Sequence, residues 1–209
     1  MYPVESEAVI VPQRLLGSEK FHADGKELST SLLAFWQWVA SDLRSNATRG
    51  RLAEYLVAQA LGLADGARRE WLAHDLTAAD GTKIEVKSAA YVQAWAQRRP
   101  SLISFDIRPT LGWDPDTAKF GDARRRQSDV YVFSLLHEQD ENKLDPLNVS
   151  HWRFFVLATR VLDQTCPLQK TINLQKLRAL HPEEVGFGGI GAAVVQASGP
   201  GPKRSGANL

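Results

Sequence analysis

Cysteine is almost missing from this sequence: Cys166 is the single example among 209 residues. One thiol cannot close an internal disulfide, and clusters of cysteine ligands for zinc are excluded. That composition suits a reducing compartment, so a cytoplasmic location is expected. Nor does any apolar stretch reach the roughly 18 residues that a membrane-spanning helix requires. Near the start, Glu5 and Glu7 stand where a secretory leader would be basic and then apolar. Export and membrane residence are therefore not expected. An excess of either charge is absent too, with 25 Lys+Arg against 24 Asp+Glu. A nucleic-acid partner would have to be held by local basic patches. None of His22, His74, His137, His151 and His181 has a histidine partner at i+4, so the His-Glu-x-x-His zinc hydrolases gain no support. The glycines from Gly186 to Gly191 have no clear strand leading into them and form no dinucleotide fingerprint.

Hydrophobic residues make up 44% of the chain, enough for a real core. One globular domain with extensions is the default at this length. Residues 1–27 read as an irregular arm with a short strand at Ala8–Val11, and residues 28–185 as the domain, its core about 46–160. Gly-rich residues 186–209 read as a mobile tail. A helix capped by Ser29, Thr30 or Ser31 runs through Trp36 and Trp38 to about Leu43, with Leu32, Leu33, Phe35, Trp36 and Val39 as its apolar face. Ser45 or Asn46 caps a second helix, Arg49 to Leu63. Strands follow at Trp71–Leu76, Thr82–Ser88, Leu102–Ile107, Val130–Leu136 and Trp152–Ala158, the last two reading as buried on both faces. Asp80-Gly81 is a hairpin turn signal. The segment His137–Ser150 is polar and loop-like, and a short helix fits Leu174–Leu180. Helices, a strand meander and then mixed elements predict an α/β or α+β fold: a mixed central sheet with helices packed on it.

Acidic-x-Lys occurs three times: Asp24-Gly25-Lys26, Glu85-Val86-Lys87 and Glu141-Asn142-Lys143. Chance placement gives about one in such a chain. Only Glu85 and Lys87 lie in an alternating strand, opposite in direction to Ile84 and Val86. A hairpin across Asp80-Gly81 would set Asp75 on the neighbouring strand, with carboxylates about 5 Å apart. That suits hard oxygen ligands sharing Mg²⁺, with Mn²⁺ as a substitute. Glu54 is an acid on an otherwise apolar helix stripe (Val57, Ala58, Leu61), where a metal or Lys87 would satisfy it; the alternative is a boundary glutamate paired with Arg51 or Arg68. Phosphodiester hydrolysis needs an activated water and neutralised phosphate charge, and these residue types supply both.

Glu54 on a helix, Asp75, and then Glu85-Val86-Lys87 resembles the PD-(D/E)xK nuclease superfamily, which has the restriction-endonuclease fold. The order helix, hairpin, strand matches over roughly residues 46–136. The resemblance implies that Asp75, Glu85 and the Val86 carbonyl bind metal. It further implies that Lys87 serves the attacking water and that Glu54 stands in the inner or outer metal shell. His74 departs from it, standing where the superfamily name has proline. The run Lys87-Ser88-x-x-Tyr91-x-Gln93-x-Trp95 is also similar to a group of bacterial proteins, a likeness that carries no function.

Gln93 is a further candidate for contact with phosphate or the reacting water, and a surface amide is its bland alternative. Trp95 reads as a base-stacking platform or, more simply, a core aromatic. Arg49, Arg51, Arg98, Arg99, Arg124 and Arg125 are the candidate phosphate contacts. Cys166 reads as an inert thiol. The expected function is a metal-dependent endonuclease acting on DNA, in defence, restriction or repair. RNA is the alternative substrate, and a homodimer or a partner protein stays open. The rival reading is a catalytically inactive nucleic-acid-binding or assembly module with the same fold, docking through Trp36 and Trp38.

Overall fold

The computed structural model describes residues 12–70, 72–114 and 118–199. Expectations for Ala8–Val11 and for the last ten residues fall outside them. The chain opens with a hairpin, β1 (Lys20–Ala23) and β2 (Lys26–Ser31), where the sequence suggested an irregular arm. Asp24 and Gly25 both take positive φ, 51° and 75°, the geometry of a tight two-residue hairpin turn. Helix α1 (Leu32–Ala40) follows, then α2 (Asn46–Ala60). Ser45 caps α2 by accepting from the Thr48 N–H, and Gly62 leaves it at φ 68°.

Strand β3 is short, Leu76–Thr77, so that of the expected Trp71–Leu76 run residues 72–75 are not in a strand and Trp71 lies outside the described residues; β4 spans Lys83–Ala90. Next come β5 (Ser104–Asp106) and a second hairpin, β6 (Thr110–Asp114) with β7 (Lys119–Arg125). Strands β8 (Val130–Leu136) and β9 (Trp152–Ala158) form where the apolar runs predicted them. Helix α3 (Thr159–Thr165), β10 (Thr171–Asn173), α4 (Leu174–Ala179), β11 (Glu183–Val185) and α5 (Ile190–Ser198) complete the chain.

The central sheet has the order β11-β9-β8-β4-β3. It is mixed: β4 and β8 run parallel and the other pairs antiparallel. Even-numbered residues of β4, β8 and β9 (Ile84, Val86, Val132, Phe154) pack on α2 and α5. Odd-numbered ones (Ala89, Tyr131, Phe133, Phe155) pack on Phe105, Leu162, Ile172 and Leu177. Helices thus flank a mixed central sheet, as the element order predicted. Buried on both faces, β8 and β9 need apolar side chains of both parities.

Two further expectations are corrected. Helix α1 buries none of its residues, and Trp38 is 84% exposed, so its apolar face does not enter the core. Residues 190–198 are not a mobile tail but helix α5. Ile190, Ala193, Val194 and Ala197 recur at helical spacing and are buried against the sheet. Glycines just upstream masked that period in the sequence. Among the described residues, no helix is long and apolar enough to cross a membrane.

Candidate active site

Alternation along β4 turns Ile84 and Val86 toward α2 and sends Glu85 and Lys87 to the opposite face. On one side β4 is bonded to β8 along its whole length; on the other, β3 covers only Ile84 and Lys83. Beyond β3 the edge of β4 is met by Asp75. Its N–H donates to the Ile84 carbonyl at 3.1 Å, and its Oδ2 accepts from the Val86 N–H at 2.7 Å. The N–H and C=O of one strand residue point the same way, so the Val86 carbonyl faces this same edge. Lys87 Nζ lies 2.5 Å from Glu85 Oε1.

Charge is crowded here. Burial, then the Glu85 and Glu54 carboxylates, push the Asp75 carboxyl up to about 7, against the pull of the Val86 N–H and Lys87. Burial draws the Lys87 ammonium down, but Glu85, with Asp75 and Asp106 beyond it, more than offsets this and holds it above its ordinary value. Lys87 is therefore a fixed cation at neutral pH: it can donate hydrogen bonds and offset charge, but it is not poised to accept a proton.

Asp75 lines the larger of two openings, and Glu85 and Lys87 line the smaller. A cavity of about 780 Å³ on the α2 side is lined by Glu54, Asp75, Arg51, Arg68, Tyr55 and Trp36, among others. A smaller one, about 240 Å³, opens on the opposite face between Glu85, Lys87, Asp106, Arg108, Gln127 and Tyr131. Sequence reasoning missed the last four. Tyr131 is the register partner of Glu85 across the parallel β4–β8 pair, a long-range pairing with no local signal. Asp106 binds the Arg108 guanidinium at 2.7 Å, and their alternation at the end of β5 was the one available hint.

Glu54 reaches neither Lys87 nor a second acid directly. Arg68 grips it with two bonds, Nε to Oε2 at 2.5 Å and Nη2 to Oε1 at 3.2 Å. The oxygens left for a cation are thus Asp75, Glu85 and the Val86 carbonyl. Among the described residues, no three His, Cys, Asp or Glu side chains gather closely enough to hold an ion by themselves. Mg²⁺ does not require that: it takes one or two carboxylates and keeps several waters. Two carboxylates, one of them raised by burial and then by its acidic neighbours, fit such an ion.

The other candidates do not join the Asp75, Glu85 and Lys87 group, although Arg51 lines the larger cavity. Gln93 is buried, its Oε1 accepting from Arg49 at 3.2 Å and its Nε2 donating to the Ala90 carbonyl at 2.8 Å. Arg49 is buried beside it, whereas Arg51, Arg98, Arg99, Arg124 and Arg125 are exposed. Arg124 and Arg125 lie on β7 opposite Leu111 and Thr110, and Thr110 lines the smaller cavity. Trp95 is 58% exposed, so it is not a core aromatic. His74 bonds Thr77 Oγ1 at 2.7 Å, and Cys166 is a free, buried thiol.

A family model described as bacteriophage T4 endonuclease IV matches residues 26–176. No curated protein matches the chain. The match covers α2, Asp75, β4, the whole smaller cavity and all of the larger one except Arg14.

Proposed function

The chain belongs to the bacteriophage T4 endonuclease IV family, and from that premise we propose that it hydrolyses DNA phosphodiester bonds at the edge of β4 with the help of a divalent cation. The observation that carries this is the convergence of Asp75 on the Val86 N–H beside the Glu85–Lys87 pair. Asp75, Glu85 and the Val86 carbonyl would hold Mg²⁺, or Mn²⁺ in its place. Once bound, such an ion supplies neutralisation of phosphate charge and a more acidic water. Lys87, held as a cation at neutral pH, orients the attacking water and offsets charge that grows on the phosphate. Arg68 holds Glu54 beside Asp75, so that Glu54 acts on the site through its charge, not as a direct ligand. This reading follows the resemblance to the PD-(D/E)xK nucleases, with His74 in place of proline. Arg51, Arg98, Arg99, Arg124 and Arg125 serve as phosphate contacts along the substrate.

The test is cleavage of DNA by the purified protein in Mg²⁺, beside Glu85→Ala and Lys87→Ala. Both variants should lose about a hundredfold or more in rate. Equal cleavage by all three proteins would sink the assignment. DNA binding without cleavage, with no heat of Mg²⁺ or Mn²⁺ binding by calorimetry, would instead identify an inactive binding module. RNA offered in parallel separates the two substrates.

A further inference from the structure

Arg49 is a buried cation without a counter-ion. Only 4% of it is exposed. Nε donates to Ser88 Oγ at 3.3 Å, Nη1 to the Arg44 carbonyl at 3.0 Å and to Gln93 Oε1 at 3.2 Å, and Nη2 to Asn46 Oδ1 at 2.7 Å. Every one of these acceptors is neutral. Among the described residues no carboxylate pairs with it. Burial lowers its guanidinium below the ordinary value. The fold treats its other buried arginine differently: Arg126 has Asp163 at 2.6 Å. A buried charge with hydrogen bonds but no opposite charge is costly, unless an anion arrives to balance it.

Room for such an anion is present. Arg49 lines a cavity of about 380 Å³, together with Asn46, Gly50, Ser88, Gln93 and Ser101, and exposed Trp95 forms part of its wall. Among the described residues, no acidic side chain lines it. The fifteen-residue helix α2 begins at this point, so the positive end of its dipole faces the same space. Ser88 lies two residues beyond Val86 on β4, which is about 6.6 Å along a strand. The cavity is therefore next to the catalytic edge but on the α2 face, separate from the openings at Glu85 and Glu54.

We propose that this cavity seats a phosphate group of the nucleic-acid backbone adjacent to the one that is cut, held by the Arg49 guanidinium with hydroxyl and amide donors from Ser88, Ser101 and Asn46. The proposal rests on the endonuclease reading only for the source of the phosphate. It assigns Gln93 a positioning role, fixing Arg49 from behind, and leaves the reacting water to Lys87.

Gly50 provides the test. A Cβ added there meets nothing within 4 Å, so a side chain at this position starts in open space. Gly50→Asp places a carboxylate where the phosphate would sit, and Gly50→Asn is its neutral match in size. Binding of a fluorescein-labelled DNA, as duplex and as single strand, is followed by anisotropy in EDTA over a range of salt. Gly50→Asp should bind about tenfold more weakly than Gly50→Asn. Its slope of log K against log salt should be shallower by about 0.7–0.9. Its thermal midpoint should equal or exceed that of Gly50→Asn, because Arg49 gains a partner. Inorganic phosphate, titrated alone, should bind only weakly; tight phosphate binding with unchanged DNA affinity would overturn the nucleic-acid assignment. Equal DNA affinity of the two variants would overturn the site. If wild type binds DNA and the variants differ, yet Mg²⁺ brings no cleavage, the phosphate seat stands and the endonuclease reading falls. If wild type cleaves DNA but the two variants bind it equally, the endonuclease reading stands and the phosphate seat falls.

Discussion

The Asp75 carboxyl is half-ionised near neutral pH, because burial and two neighbouring acids raise it to about 7. The unfolded chain has no such surroundings, and there the group titrates near its ordinary 3.8. Folding therefore favours the protonated form. The stability it contributes is complete below the unfolded value and is lost as pH rises through about 7. The metal-free protein should melt at a lower temperature at about pH 8 than at about pH 5.5, and Asp75→Asn should flatten most of that fall. An equally steep fall in both proteins would show that other groups are responsible. A bound cation reverses the preference, since it stabilises the carboxylate. Adding Mg²⁺ should accordingly raise the melting temperature more at the higher pH, and Asp75→Asn should respond less. Glu54 differs from Asp75 in having a dedicated cation: its sequence neighbours announced a partner, and Arg68, fourteen residues on, is that partner. Removing the guanidinium leaves Glu54 beside Asp75 without compensation, so Arg68→Ala should raise the Asp75 carboxyl further and shift any pH–rate profile upward.

Periodicity made some elements legible and hid others. Strand β4 could be read because alternation separates Ile84 and Val86 from Glu85 and Lys87, and α2 because its apolar positions recur at helical spacing behind a Ser45 cap. Strands β8 and β9 were visible as apolar blocks. The β6–β7 hairpin escaped because it is exposed along β7 and carries no buried alternation. Helix α5 escaped behind its glycines. Its packing can be checked directly: Ile190 is fully buried, and Ile190→Ala should cost about 2–5 kcal/mol in denaturant unfolding. A loss well under about 0.5 kcal/mol would mean that α5 is not part of the core. Helix α1 shows the opposite error. Its apolar residues looked like a core face, yet composition cannot tell an inward stripe from an outward one.

Across the whole molecule, binding to DNA cannot come from a general field, because the net charge is only +1. It must come from particular arginines. Arg124 and Arg125 stand on β7, across from the strand whose Thr110 lines the Glu85–Lys87 cavity. Replacing both by Ala should weaken DNA binding and reduce the salt slope by about 1–2. An unchanged slope would remove β7 from the interface.

Residue order alone was enough to single out Glu85 and Lys87, because strand alternation is a local property and each side chain's face follows from its parity. The Asp80-Gly81 turn did the same for Asp75, which stands only ten positions before Glu85. Everything set by distant pairing needed the fold. Tyr131 meets Glu85 through the parallel pairing of β4 with β8, and a parallel connection runs through a long crossover that no local pattern encodes. Arg49 was legible as a basic residue but not as a buried one. Its isolation from every carboxylate among the described residues emerges only when α2 is laid against the end of β4.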